Sequence, residues 1–273
     1  VNYLLEGNVG KTIAVAGKGG VGKTLISALL INHLTRRRNG PVLAVDADPS
    51  TNLHLALGVD IDFDELETVG GIREETAVDV QSGSSLGGMS KPDYFEMRIQ
   101  QAVWEESDFD LLAMGRPEGL GCYCAANNML RASIDRLSGA YRYVVIDNEA
   151  GLEHLSRRTT RDVDVLIIVA DASMRSILTA GGVSRLVDEL HTKVGERYLI
   201  VNRVPVDESG EPKLPESLRQ AIEEQGLDLA GLIPLDSVVA EYDAVGKPVG
   251  DIPADSVTRR AFDKIVASIP SLN

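Results

Sequence analysis

The chain has 273 residues, is 44% hydrophobic, and carries a formal net charge of −14 with a pI of about 4.7. That length suits one large α/β domain or two small ones, and so acidic a surface repels nucleic-acid phosphate and anionic lipid, which weighs against a DNA-binding or membrane-surface role. No apolar run reaches the roughly 18 residues of a transmembrane helix and no basic-then-apolar signal opens the chain, so a cytoplasmic protein is expected.

Residues 1–10 read as a short leader of little structural weight. Gly10-Lys11-Thr12 is a decoy, because Leu5 stands where a phosphate loop needs glycine and no strand precedes it. An apolar, β-branched run at 12–16 then leads into Gly17-Lys18-Gly19-Gly20-Val21-Gly22-Lys23-Thr24, and a helical pattern over 22–37 follows. Strand, Gly-rich turn and helix are the context in which glycine, four residues and Gly-Lys-Thr form a phosphate-binding loop. The glycines let the backbone turn several N–H groups toward phosphate oxygens, and the helix start adds its positive end. The expected ATP-contacting set is Gly17, Lys18, Gly19, Gly20, Val21, Gly22, Lys23, Thr24 and Leu25. Within it Lys23 reaches the β- and γ-phosphates and the Thr24 hydroxyl ligates Mg²⁺.

The second strand, at 42–46, runs into Asp46-Ala47-Asp48-Pro49 and so brings two carboxylates to the nucleotide end of a sheet. Residues 60–108 are acidic with a Gly/Ser-rich patch at 82–88, and are expected to hold loops and one or two short helices as an insertion. Further strands are expected near 110–114, 142–147, 165–170, 197–202 and 229–233, with helices near 125–138, 176–191, 214–225 and 256–268. Near-continuous apolar runs such as Val165-Leu166-Ile167-Ile168-Val169-Ala170 are how strands covered on both faces read. The alternation predicts a single doubly wound, mostly parallel α/β domain with ligands at the carboxyl ends of its strands. Asp207 to Pro215 reads as a turn-rich surface loop, not a boundary.

The strand near 142–147 ends in Asp147, and apolar residues ending in Asp supply the carboxylate that holds Mg²⁺, often through water. The two cysteines, Cys122 and Cys124, lie in a Cys-x-Cys arrangement after a strand and before a helix. Two thiolates are half of a tetrahedral soft-metal site. The four histidines, at 33, 54, 154 and 191, show no Cys₂His₂ spacing, so a two-fold dimer is the natural source of the missing half.

Lys18, directly after the first glycine of the loop, gives it a second lysine. In this the chain resembles the deviant-loop P-loop ATPases, which include nitrogenase reductase, the MinD/ParA positioning ATPases and the nickel-insertion ATPases. The resemblance implies that Lys18 crosses a homodimer interface to the partner's nucleotide, that Asp48 orients the attacking water and that Asp46 stands in the outer Mg²⁺ shell. It implies further that the Gly151 N–H senses the γ-phosphate, and that Asn202, Arg203, Pro234 and Asp236 lie at the adenine. Lys18, Lys23, Asp48 and Asp147 are then the expected catalytic set. Cys122-Tyr123-Cys124 with Ala150-Gly151-Leu152-Glu153-His154-Leu155 looks like the CooC-type branch, over Lys11 to about Pro248. That branch inserts nickel into carbon monoxide dehydrogenase or acetyl-CoA synthase, so nickel, or zinc, at the cysteine pair and a client metalloenzyme are implied, with no nucleic-acid or membrane partner. Nitrogenase reductase needs a separate cysteine past the Asp147 strand, and none stands there. An iron–sulfur ATPase and a MinD/ParA-type ATPase remain the alternatives. The latter predicts a basic or strongly amphipathic C-terminal helix, and Val257–Ile269 is amphipathic, with Arg259, Arg260 and Lys264, but lacks a bulky apolar face.

Overall fold

The computed structural model describes residues 10–61, 66–72, 74–75, 88–115, 136–137, 139–148, 162–189 and 192–272. The strands are β1 (Lys11–Gly17), β2 (Val42–Ala47), β3 (Trp104–Glu105), β4 (Asp110–Ala113), β5 (Tyr143–Asn148), β6 (Asp162–Asp171), β7 (Lys193–Val204) and β8 (Leu229–Pro234). The helices are α1 (Lys23–Arg36), α2 (Leu53–Leu57), α3 (Lys91–Gln101), α4 (Met174–Glu189), α5 (Glu216–Glu224), α6 (Ser237–Ala244) and α7 (Val257–Ser268). They build one eight-stranded sheet in the order β3-β4-β2-β5-β1-β6-β7-β8. Every pair is parallel except β3 with β4, where Trp104 faces Leu111 across an antiparallel edge.

Period-two alternation divides each strand between two faces. On β1, Ile13 and Val15 enter one core while Ala14 and Ala16 enter the other. On β6, Val165, Ile167 and Val169 go to the first face and Leu166, Ile168 and Ala170 to the second. The first face is a single core closed by α1 (Ile26, Leu30, Leu34), Leu53 of α2 and α7 (Phe262, Ile265, Val266). The second face carries two cores. One lies under α4 and α5 (Ile177, Ala180, Leu218, Ile222) and the other under α3 (Phe95, Ile99) against Leu43, Val45, Val144 and Ile146. Each fully buried Val, Leu, Ile or Phe among them contributes about 1.5–3 kcal/mol.

The expected central strands and flanking helices are present. The helix expected over 125–138 lies outside the described residues, apart from Arg136 and Leu137, which are helical. The 60–108 segment holds an 11-residue helix, α3, capped by the Ser90 side chain, which accepts from the Asp93 N–H. The Asp207–Pro215 loop closes through Asp207, whose carboxylate accepts from the Ser209 and Glu211 amides. No described helix is long and apolar enough to cross a membrane.

Candidate nucleotide-binding site

The loop between β1 and α1 sits at the carboxyl end of the sheet's centre, where neighbouring strands leave on opposite sides. Gly17 pairs with Val169, and a Cβ there would stand 2.2 Å from the Val169 carbonyl oxygen, so only glycine lets the backbone leave the strand at this point. Gly22, at φ 95°, occupies the N-cap of α1, which has no side-chain cap and no acidic residue in its first turn. The first N–H groups of α1 therefore keep no side-chain acceptor of their own, which leaves them for an anion.

A brace from β7 holds the loop. The Asn202 side chain is buried and its Nδ2 donates to the Val21 carbonyl at 2.9 Å, while its Oδ1 accepts from the Arg203 N–H at 2.9 Å. Arg203, at φ 55°, donates from Nη1 to the Gly20 carbonyl at 3.0 Å. A non-glycine residue in the left-handed region costs on the order of 1–2 kcal/mol, and here that conformation carries a guanidinium to the loop. Lys23 is buried and its Nζ donates to the Lys18 carbonyl at 3.3 Å. Lys18 itself is half-buried, and Gly19 beside it is exposed.

Two carboxylates meet beneath the loop. Asp46 and Asp147 are direct neighbours across the β2–β5 register, and each is 1% exposed. Asp147 Oδ2 accepts from the Thr24 hydroxyl at 2.7 Å and Oδ1 from the Ser27 hydroxyl at 3.0 Å. Burial raises its carboxyl to about 6 against the pull of those two hydroxyls and Lys23. Asp46 accepts from the Leu53 N–H at 2.8 Å and the Asp48 N–H at 3.1 Å. Burial, together with the charge of Asp147, raises it to about 7. Asp48 is half-buried one residue beyond β2, and its carboxylate accepts from the Ser50 N–H at 2.8 Å. A hydroxyl and two mutually repelling carboxylates, all hard oxygen donors, fit a divalent cation such as Mg²⁺, whose charge reverses the repulsion.

A cavity of about 620 Å³ opens over the loop. Gly19, Gly20, Gly22, Lys23, Thr24 and Leu25 form its floor, with Asp48 and Arg203 beside them. Its far wall comes from α6 and the turn after it, through Val239, Tyr242, Asp243 and Lys247, whose ammonium lies 5.0 Å from the Tyr242 ring centroid. Asn202, Pro234 and Asp236, expected at the base, are not among the lining residues. Asn202 lies under the loop, Pro234 ends β8, and Asp236 caps two helices, accepting from the Val238 and Thr258 N–H groups. The α6 wall had a sequence signal that went unused: Asp236 followed by a helix-compatible run is an N-cap pattern. Cys122, Cys124, Gly151 and His154 lie outside the described residues, and among the described residues no three His, Cys, Asp or Glu side chains cluster as a metal site.

Residues 12–249 match the model of the CobQ/CobB/MinD/ParA nucleotide binding domain. The chain is similar to an ATP-binding protein of Methanocaldococcus jannaschii, 44% identical over 94% of this chain and 97% of that protein. It is also similar to the carbon monoxide dehydrogenase accessory protein CooC of Rhodospirillum rubrum, 32% identical over 88% of this chain and 89% of that one. Among solved structures, the septum site-determining protein MinD with Mg-ADP from Pyrococcus horikoshii superposes with a TM-score of 0.65, at 23% identity over 96% of each chain.

Proposed function

The chain belongs to the CobQ/CobB/MinD/ParA nucleotide-binding family and is an ATPase of that class, and we propose that it is a nucleotide-gated metal carrier delivering nickel to a carbon monoxide dehydrogenase-type client. The observation that carries this reading is Cys122-Tyr123-Cys124 in a chain 32% identical to a carbon monoxide dehydrogenase accessory protein. The thiolates bind the cargo ion, two from each subunit of a dimer; zinc fits the same sulfur set.

ATP lies along the cavity with its phosphates over the loop. The backbone N–H groups of residues 19–24 and Lys23 hold the β- and γ-phosphates. Lys18 reaches the nucleotide of the partner subunit, so that full charge compensation of the transferring phosphoryl group needs a closed dimer. Thr24, Asp147 and Asp46 would hold Mg²⁺, which neutralises phosphate charge when bound. Asp48 orients the attacking water. Gly151, after Asp147, senses the γ-phosphate, and its release after hydrolysis loosens the dimer and frees the metal. Arg203 lines the phosphate end, and Asn202 supports the loop from below.

The MinD/ParA-type positioning reading stays the alternative, and α7 itself gives it no lipid-binding support. Contrary to the sequence expectation the helix does have a bulky apolar face, but Phe262, Ile265 and Val266 bury it in the core with α1, so it is not offered to a lipid surface. Metal titration of the parent and of the Cys122→Ser/Cys124→Ser variant, with sedimentation in the presence and absence of ATP, tests the proposal. Nickel binding lost in the variant and an ATP-dependent dimer in the parent are expected. A variant that binds nickel as tightly as the parent, or a chain that stays monomeric with both ATP and nickel, overturns it.

A further inference from the structure

A second cavity, of about 290 Å³, lies at the other end of α1, between that helix, α7 and the turn at Val249–Asp251. Arg36, Arg37 and Arg259 line it against Asp263, the one carboxylate among the described lining residues, in a chain whose net charge is −14. Arg259 is only 6% exposed, yet no carboxylate of the described residues pairs with it or with Arg36. Its Nη1 donates to the Ile252 carbonyl at 2.6 Å and to the Gly250 carbonyl at 3.3 Å. Those neutral acceptors clamp the turn through one nitrogen of a fork that carries five N–H donors. A buried cation with no counter-ion among the described residues is costly, and an anion in the cavity removes that cost.

Two further groups face the same way in chemistry. Arg36 is exposed and its Nη2 reaches the Gly250 carbonyl only at 3.4 Å, a contact easily given up. His33 has a buried Nε2 with no partner among the described residues, while its Nδ1 lies 3.5 Å from Asp263 Oδ1. Burial first, and then Arg37 and Arg36, hold its imidazole below the usual histidine range, against the pull of Asp263. A neutral ring with Nδ1–H toward Asp263 presents Nε2 as an acceptor. The ligand that suits two guanidinium forks and one acceptor is an oxyanion that keeps an acid proton.

From this geometry we infer that the cavity is a binding site for a phosphate group, free or carried on a small molecule. Arg259 and Arg36 hold its oxygens and His33 Nε2 accepts from its P–OH. The two cavities share Val249 in their walls but take their charged groups from different residues. This site is therefore separate from the phosphate loop and does not depend on the metal-carrier reading.

The test is calorimetric titration of inorganic phosphate into the full chain saturated with Mg²⁺ and a non-hydrolysable ATP analogue, which closes the loop's own phosphate positions. Sulfate and glycerol phosphate are run at matched ionic strength. One saturable phosphate per chain is expected, weakened at least tenfold by Arg36→Glu and by Arg259→Lys, and unchanged by Arg219→Glu on α5. Sulfate, lacking the acid proton at neutral pH, should bind more weakly than phosphate. Glycerol phosphate, mostly a dianion without P–OH at neutral pH, should bind more weakly than phosphate unless its glycerol adds contacts, so tighter binding identifies an esterified ligand and weaker or equal binding identifies the free ion. Absence of saturable binding, or binding that survives Arg36→Glu, overturns the inference. So does binding of polyanions such as heparin without phosphate. Arg36 is exposed, so its substitution reads out even if Arg259→Lys does not fold.

Discussion

Replacing Gly22 with alanine probes the brace that β7 places under the phosphate loop. At φ 95° the residue lies in the left-handed region, and a Cβ there would come 2.4 Å from Asn202 Nδ2. The conformation alone costs a non-glycine residue about 1–2 kcal/mol. To clear the methyl group, the Asn202 carboxamide must abandon the Val21 carbonyl, and a buried acceptor left without its donor costs about 1–3 kcal/mol more. Gly22→Ala should therefore lower stability by roughly 2–5 kcal/mol in urea unfolding, or lose a comparable amount in ADP affinity if the loop shifts instead, tenfold for each 1.4 kcal/mol. Asn202→Ala alone should cost about 1–3 kcal/mol for the same orphaned carbonyl. The double variant decides the matter. With the carboxamide gone, the alanine at position 22 meets no clash, and the carbonyl is lost only once. The two costs should then fall short of additivity by about 1–3 kcal/mol, the size expected for residues in direct contact. Strictly additive costs would show that Asn202 does not hold the loop and would refute the brace.

Lys18→Gln should leave ADP binding intact and reduce ATP turnover about 10³-fold, the lower range for a cation supplied across an interface; equal loss of ADP affinity in a sedimentation and binding series would place Lys18 in the ground state of its own subunit. Asp46 and Asp147 are raised from 3.8 to about 7 and about 6, so the native chain binds more protons than the unfolded chain between those values. Their contribution to nucleotide-free stability is therefore complete below about pH 4 and is lost as pH rises toward 7. The urea midpoint should fall across that window, Asp147→Asn should flatten the fall, and a midpoint that rises from pH 5 to 7 contradicts the pairing. Phe262→Ala should destabilise the fold by about 3–5 kcal/mol by opening the core under α7. The same variant should leave liposome co-sedimentation at background with ATP, as in the parent; ATP-dependent lipid binding by the parent would restore the positioning-ATPase reading.

The centre of the sheet was legible because burial on both faces writes itself as uninterrupted β-branched and aliphatic runs at 12–16, 42–46 and 165–170. The phosphate loop was legible because its chemistry is local, with consecutive glycines and Gly-Lys-Thr between a strand and a helix. The pairing of Thr24 and Ser27 with Asp147 joins residues 123 and 120 positions apart, so only the carboxylate's presence could be read, not its hydroxyl partners. The residues expected at the adenine were less legible. Asn202 lies at a strand end as expected, but its amide answers to the loop backbone, and the cavity's far wall comes from α6, whose short helix buries no residue. A helix without a buried stripe leaves no periodic signal. The edge strand β3 has two residues, both exposed, and pairs too briefly to show alternation. Over residues 60–108, α3 was foreseen only as a short helix, because its polar composition hides the burial of Phe95 and Ile99.

The brace has a consequence for synthesis. Asn202 and Arg203 bond to carbonyls of Val21 and Gly20, which precede them by 181 and 183 residues. A chain growing at about 5–20 residues per second therefore exposes its glycine loop for on the order of ten seconds or more before the residues that shape it leave the ribosome. Until then the Val21 and Gly20 carbonyls lack the donors that brace them. The braced loop thus arrives late in translation, with β1 already flanked by strands encoded far downstream, and an incomplete polypeptide truncated before Asn202 lacks it.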